Sequence, residues 1–310
     1  MAKFAFVFPG QGSQAVGMLN GFAGNAAVQE TVAEASEALG FDIGKMIAEG
    51  PKESLDLTVN TQPVMLTTSI AFYRAWLAAG GATPEVVAGH SLGEFSALVA
   101  SGVIPLADAV KLVRFRATAM QEAVPVGVGG MAAIIGLDAE ALKAVCAEAA
   151  EGDVVEPANF NSPTQTVIAG HKTALDRACK LAKAKGAKRA LPLPVSAPFH
   201  SSLLVPASAR LADYMKDMVF SAPKIPVINN VDVAIQNDPA AIKDALVRQV
   251  ASSVRWVETV QKMASMGITH IVDCGPGKVL AGMVKRIDGS VSGLAIVDQA
   301  SLDAALEALK

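Results

Sequence analysis

The chain has 310 residues, of which 52% are hydrophobic and 18% charged, and its formal net charge is -3. So much apolar material can bury a large core and a second, smaller one, while the scattered charges argue against a nucleic-acid surface or a polybasic membrane patch. The cysteines at 146, 179 and 274 are odd in number and far apart, which fits small buried residues in a reducing compartment better than disulfides or a zinc site.

Lys3 to Phe8 reads as a buried strand, too short before Pro9-Gly10 for the apolar core of a signal peptide. It runs into Pro9-Gly10-Gln11-Gly12-Ser13-Gln14, a loop that offers free backbone N–H groups. Gly10, Gly12 and Ala15 fit the dinucleotide pattern G-x-G-x-x-A, but that reading needs a second strand, ending in an acid, about twenty residues on. Ala26 to Leu39 repeats alanine and valine at helical spacing instead, so the pattern is rejected. A glycine turn with no ligand fits these residues as well as a functional loop does. Residues 61 to 79 form a helix with Pro63 near its first turn and an apolar face of Met65, Ile70, Tyr73 and Leu77.

Glu85 to Gly89 reads as the end of a short strand and Leu92 to Ala100 as an apolar helix, so Ser91 stands where a strand breaks sharply into a helix. That is the setting of a nucleophile elbow, and Gly89-His90-Ser91-Leu92-Gly93 supplies glycine on both sides of it. Pro105 opens the next helix, which runs to about Ala123. Its apolar stripe takes in Ala109, Val113 and Met120, and Arg116 falls inside that stripe. A guanidinium there needs a partner, unless its stem covers apolar surface while its head reaches water.

From Val126 the texture changes to strand, helix, strand, strand, helix, strand, ending at Lys188 to Leu193. This βαββαβ order is that of a ferredoxin-like unit. It spans residues 126–197, inserted between a first part of the large domain at 1–125 and a second part at 198–310. Helices around 202 to 217, 239 to 250 and 254 to 266 alternate with strands at 226 to 229, 268 to 273 and 293 to 297, which argues an α/β core with a largely parallel sheet. The uncharged stretch from Ala190 to Ala209 holds four prolines and cannot be a membrane helix, and the protein is expected in the cytoplasm.

A serine nucleophile needs a base. His90 sits beside the nucleophile, where the turn aims its ring elsewhere; His171 opens a helix of the inserted unit; and His270 falls in a strand read as buried. His200 lies where the chain re-enters the large domain and follows the serine in α/β-hydrolase order, which favours it. No acid between Ser91 and His200 stands at an obvious strand end, and Asp273 comes after the histidine, so the histidine is expected to be oriented by something other than a carboxylate.

Phe8-Pro9-Gly10-Gln11-Gly12-Ser13-Gln14, Thr61-Gln62-Pro63, Gly89-His90-Ser91-Leu92-Gly93-Glu94, Arg114-Phe115-Arg116, Asn159-Phe160-Asn161-Ser162-Pro163, Ala197-Pro198-Phe199-His200-Ser201 and Gly275-Pro276-Gly277 run nearly end to end. Together they resemble the malonyl-CoA:acyl carrier protein transacylases. The resemblance implies an α/β-hydrolase-like core with an inserted ferredoxin-like subdomain. It implies Ser91 as nucleophile, His200 as base, and the backbone N–H groups of Gln11 and Leu92 as oxyanion hole. Arg116 would clamp the malonyl carboxylate, Gln62 and Asn159 would contact the substrate, and the backbone carbonyl of Gln249 would orient the histidine. Leu92 and Phe199 resemble the malonyl-selective pattern of the wider acyltransferase family. Gln249 is matched most loosely, because Ala251-Ser252-Ser253-Val254 departs from the asparagine-proline often found after it.

The implied partners are malonyl-CoA and acyl carrier protein, with no cofactor, no metal, no nucleic acid and no membrane, and the chain is expected to be a monomer. Its free-standing character favours fatty-acid over polyketide synthesis. The alternatives are a polyketide-type acyltransferase, a serine esterase or thioesterase of similar fold, and a non-catalytic subunit that docks carrier protein.

Overall fold

The computed structural model describes residues 2–195 and 197–310. Its first strand, β1 (Phe4–Phe8), is buried along its whole length, as a central strand of a parallel sheet must be. Side chains alternate across the strand. Phe4, Phe6 and Phe8 face a core shared with the helix Thr58–Ala78, where Phe6 meets Tyr73 and Trp76 edge-on. Ala5 and Val7 face the other core with Trp256 and Leu280.

Two strands flank β1 in parallel register: β2 (Val86–Gly89) on one side and, late in the chain, the strand His270–Cys274 on the other. Between them in sequence come β3 (Gly129–Ile135), β4 (Val155–Ser162), β5 (Gln165–His171), β6 (Arg189–Pro192) and β7 (Val227–Ile228). The strand His270–Cys274 is therefore β8, and Ser292–Ile296 is β9. The large sheet has the order β7-β2-β1-β8-β9 and every pairing in it is parallel. Chain direction across the sheet reverses at β1, and the carboxyl ends at such a switch are where open α/β sheets bind ligands. The loop after β1 and the turn after β2 both lie there.

The second sheet is antiparallel, in the order β4-β5-β3-β6. With the helices Ala139–Ala150 and Lys172–Ala184 it forms the βαββαβ unit expected from the sequence. Ala132, Ile134 and Ile168 face those helices, while Met131, Ala133, Val167 and Ala169 face the large core. The small sheet is thus apolar on both sides.

Edge strand β4 is laced to the large domain. Phe160 N–H donates to the Val254 carbonyl at 3.0 Å, Val254 N–H to the Ala158 carbonyl at 2.8 Å, and Ser253 Oγ to the Pro157 carbonyl at 2.6 Å. The Glu156 carboxylate accepts from Ser202 N–H at 2.8 Å.

The short helices Ile43–Glu49 and Lys52–Leu55 and the last helix, Gln299–Ala308, have no counterpart in the sequence reading. His270 corrects another expectation: it opens β8 half-buried, bonded to Thr269 Oγ1, rather than sitting in a buried strand interior.

Two glycines fix the turn after β2. A Cβ on Gly89 would sit 1.8 Å from the Gly93 carbonyl carbon, and one on Gly93 would sit 2.0 Å from the Phe8 carbonyl oxygen. Backbone offers no relief from such contacts, so Gly89→Ala should cost more than ~2 kcal/mol, at the upper end of overpacking penalties. Exposed Gly282, in the helix Val279–Ile287 with nothing within 4 Å of a built Cβ, is the control. Gly282→Ala should stabilise by up to ~1 kcal/mol. Urea denaturation of both variants checks the pair, and a tolerated Gly89→Ala would show the turn to be looser than its geometry.

Candidate active site

Ser91 has φ 52°, a left-handed conformation that a side chain enters only when its surroundings hold it there. Three hydrogen bonds do so here. His90 N–H donates to the Phe8 carbonyl at 3.0 Å, Ser91 N–H to Asn230 Oδ1 at 2.8 Å, and Asn230 Nδ2 to the Gly89 carbonyl at 2.7 Å. The helix Gly93–Ala100 starts immediately afterwards, so Ser91 stands on the strand-to-helix turn expected of it.

His200 also has positive φ, 59°, and is buried. Its Nε2 lies 2.6 Å from Ser91 Oγ and its Nδ1 lies 2.9 Å from the Gln249 carbonyl. A carbonyl can only accept, so Nδ1 carries the proton and Nε2 is left to accept from the serine hydroxyl. Gln249 lies in the last turn of the helix Pro239–Val250, where carbonyls lack an i+4 partner. The negative end of that helix takes the place a carboxylate would fill. Asp273 is engaged elsewhere: its Oδ2 accepts from the N–H groups of Leu280 and Ala281.

Burial, and then the charge of Arg116, push the His200 imidazole down to about 3, so it is neutral at physiological pH. Arg116 is 1% exposed on the helix Leu106–Glu122, which removes the alternative of a head in water. Its Nη1 donates to Gln62 Oε1 at 2.8 Å and its Nη2 to Gln249 Oε1 at 2.8 Å, with Ser91 Oγ at 3.3 Å. The guanidinium also lies over the Phe95 ring, 5.3 Å from its centroid. Burial lowers its pKa to about 10, which leaves it charged, and its Nε is buried with no hydrogen-bond partner among the described residues. The guanidinium is hydrogen-bonded by two neutral amide oxygens and has no direct ion pair, with Glu94 acting on it from behind Gln249.

These residues meet at a cavity of about 420 Å³ between the two sheets. Gln11, Gln62, Ser91, Leu92, Arg116, Asn159 and His200 all line it, together with Met131, Leu193 and Phe199. Gln249 stands behind the wall. The backbone N–H groups of Gln11 and Leu92 have no hydrogen-bond partner among the described residues. His90 lines the cavity as well, and Nε2–H donates to Asn161 Oδ1 at 2.8 Å, tying the elbow to β4. Among the described residues no group of three or more His, Cys, Asp or Glu could hold a metal ion.

Residues 5–298 match the acyl transferase domain family. The malonyl CoA-acyl carrier protein transacylase of Salmonella typhimurium is 55% identical over 307 residues, 99% of either chain. The chain belongs to this family of acyl transferases. Among solved structures, an acyl-carrier-protein S-malonyltransferase from Burkholderia pseudomallei is 66% identical with a TM-score of 0.97, over 98% of this chain and 99% of that one. A malonyl-transacylase in complex with a type II PKS acyl-carrier protein is 50% identical with a TM-score of 0.98, over 99% of this transferase and 100% of its own chain.

Two residues of the site escaped the sequence reading. Asn230 bonds both sides of the elbow, and its own N–H donates to Glu94 Oε2 at 3.0 Å. Glu94 also accepts from Gln249 Nε2 at 2.8 Å, and burial raises its carboxyl to about 7. The asparagine doublet after Val227-Ile228, at a strand end beside β2, was the available signal for Asn230.

Ring 15N NMR of His200 should show Nδ1 protonated and Nε2 bare from about pH 8 down to about pH 5, since its titration is depressed from 6.5 to about 3. A midpoint near 6.5 would contradict the burial account. Asn230→Ala should destabilise by ~1 to 3 kcal/mol for each buried group it orphans, the Ser91 N–H and the Gly89 carbonyl, which denaturation would measure.

Proposed function

We propose that this transferase moves the malonyl group from malonyl-CoA to the phosphopantetheine thiol of an acyl carrier protein, through an ester on Ser91. The observation that carries the reading is Arg116, a buried guanidinium with neutral partners, 3.3 Å from the candidate nucleophile. Malonyl differs from acetyl by a carboxylate. A planar guanidinium fits that group bidentately, and a carboxylate buried in so dry a place is costly unless a cation meets it.

In the first half-reaction His200 Nε2 takes the Ser91 proton as Oγ attacks the thioester carbonyl, and the Gln11 and Leu92 N–H groups receive the oxyanion. The ester bond forms, the C–S bond breaks, and the imidazolium returns its proton to the coenzyme A sulfur. In the second half the carrier's thiol gives its proton to His200 and attacks the ester, and Ser91 takes the proton back. The scheme is ping-pong and, exchanging one thioester for another, freely reversible. Asn159 and Gln62 contact the acyl or pantetheine chain on this reading.

Burial and, after it, the charge of Arg116 depress His200, so a carboxylate on Arg116 relieves the smaller of these two causes and raises the basicity of the imidazole in part. The substrate's distal group thus acts on kcat as well as on KM. Because every proposed catalytic group comes from one chain, a monomer suffices. Three free cysteines accord with a reducing compartment, and the cytoplasm is the proposed location.

The decisive comparison is kcat/KM for malonyl-CoA against acetyl-CoA. Arg116→Ala should lower malonyl transfer by ~2 to 5 kcal/mol while sparing or improving acetyl, and lysine should rescue only partly. Equal loss of both substrates would make Arg116 structural. Ser91→Ala should abolish the covalent adduct, and adding His200→Ala should cost little more, because the two act as one unit. A double variant far slower than either single one would contradict the coupled dyad.

A further inference from the structure

Glu94 is buried at the start of the helix Gly93–Ala100, 2% exposed, and none of the transfer steps uses it. One of its oxygens, Oε2, accepts both from Asn230 N–H at 3.0 Å and from Gln249 Nε2 at 2.8 Å. The amide of Gln249 has two unlike ends, one donor and one acceptor. Its Nε2 end is held by Glu94 Oε2 and, at 3.0 Å, by the Ser91 carbonyl, which leaves Oε1 facing Arg116 Nη2 at 2.8 Å. Turned over, the amide would set donor against the guanidinium and acceptor against a carboxylate and a carbonyl. Only one orientation satisfies all three partners.

We propose that Glu94 is a positioning residue for acyl selectivity: its Oε2 locks the Gln249 amide so that Arg116 is held at the acyl end of the cavity without a direct ion pair. The inference rests on the reading that Arg116 takes the malonyl carboxylate. Gln249 is also a spacer. The carboxylate stays one amide away from the guanidinium, so the two do not pair directly and the cation remains available to substrate.

A bland alternative is that Glu94 only satisfies the buried Asn230 N–H. Selectivity separates the two roles, because a structural defect lowers all substrates together. Glu94→Leu removes the acceptor while filling the space; Glu94→Gln keeps an acceptor oxygen in place without charge. The leucine variant should lose about tenfold or more in the malonyl-over-acetyl ratio of kcat/KM, chiefly through KM for malonyl-CoA, as contacting residues in one network couple. The glutamine variant should stay within about threefold of wild type. In a Gln249→Met background, Glu94→Leu should change the ratio no further.

Retention of the malonyl preference by Glu94→Leu, loss of it by Glu94→Gln, or an undiminished effect in the Gln249→Met background would overturn the proposal. If the leucine variant does not fold, Glu94→Asp, which withdraws the carboxylate by one methylene, is read in the same way. The wild-type ratio is measured first. A wild type without malonyl preference defeats the reading of Arg116, whereas a wild-type preference kept by the variants defeats only the role of Glu94.

Discussion

Gln249 holds His200, the proposed base, and the buried cation Arg116 at once, with different parts of itself. Its carbonyl, left without an i+4 donor by the end of its helix, fixes the His200 tautomer, and its side-chain amide bridges Arg116 to Glu94. Neither job can shift without the other. A carboxylate in place of the carbonyl would orient the imidazole equally well, but it would put a negative charge close to Arg116 and weaken the pull of that residue on an anionic substrate. The neutral orienter and a guanidinium without a direct ion pair are two sides of one constraint.

The fold supports this constraint by tying the backbone around the site with hydrogen bonds and close contacts. The elbow is wedged against the end of β1, where Gly93 leaves no room for a side chain. Asn230 pins the turn from just beyond the end of β7, and β4 of the small sheet bonds the segments that follow His200 and Gln249. The small sheet is therefore more than a wall of the cavity. Its Asn161 reaches the elbow through His90, its Glu156 the segment after His200, and its Pro157 carbonyl Ser253.

Much of this was legible in the sequence where the cause is local. Glycines around Ser91 announce a sharp turn, alternation and turn residues give the βαββαβ unit, and helical period places Arg116 on an apolar face. Periodicity could not say whether the Arg116 head reaches water; that depends on Gln62, 54 positions away, and on Gln249, 133 positions away. The His200–Gln249 pairing came from family resemblance, because a backbone carbonyl leaves no mark in residue type. Asn230 and Glu94 were missed for a related reason: their roles arise from contacts 139 and 155 positions apart in the chain. The helices Ile43–Glu49 and Lys52–Leu55 were missed because they are too short to show a period.

The central claim is that a buried guanidinium beside Ser91, with no direct ion pair, selects an acyl group bearing a carboxylate. Competition tests it most directly: wild-type protein is exposed to equal malonyl-CoA and acetyl-CoA without acceptor, and the Ser91 peptide is examined by mass spectrometry. The expected result is an adduct that is almost wholly malonyl and confined to Ser91. Comparable malonyl and acetyl adducts, or malonyl attached elsewhere, would contradict the account.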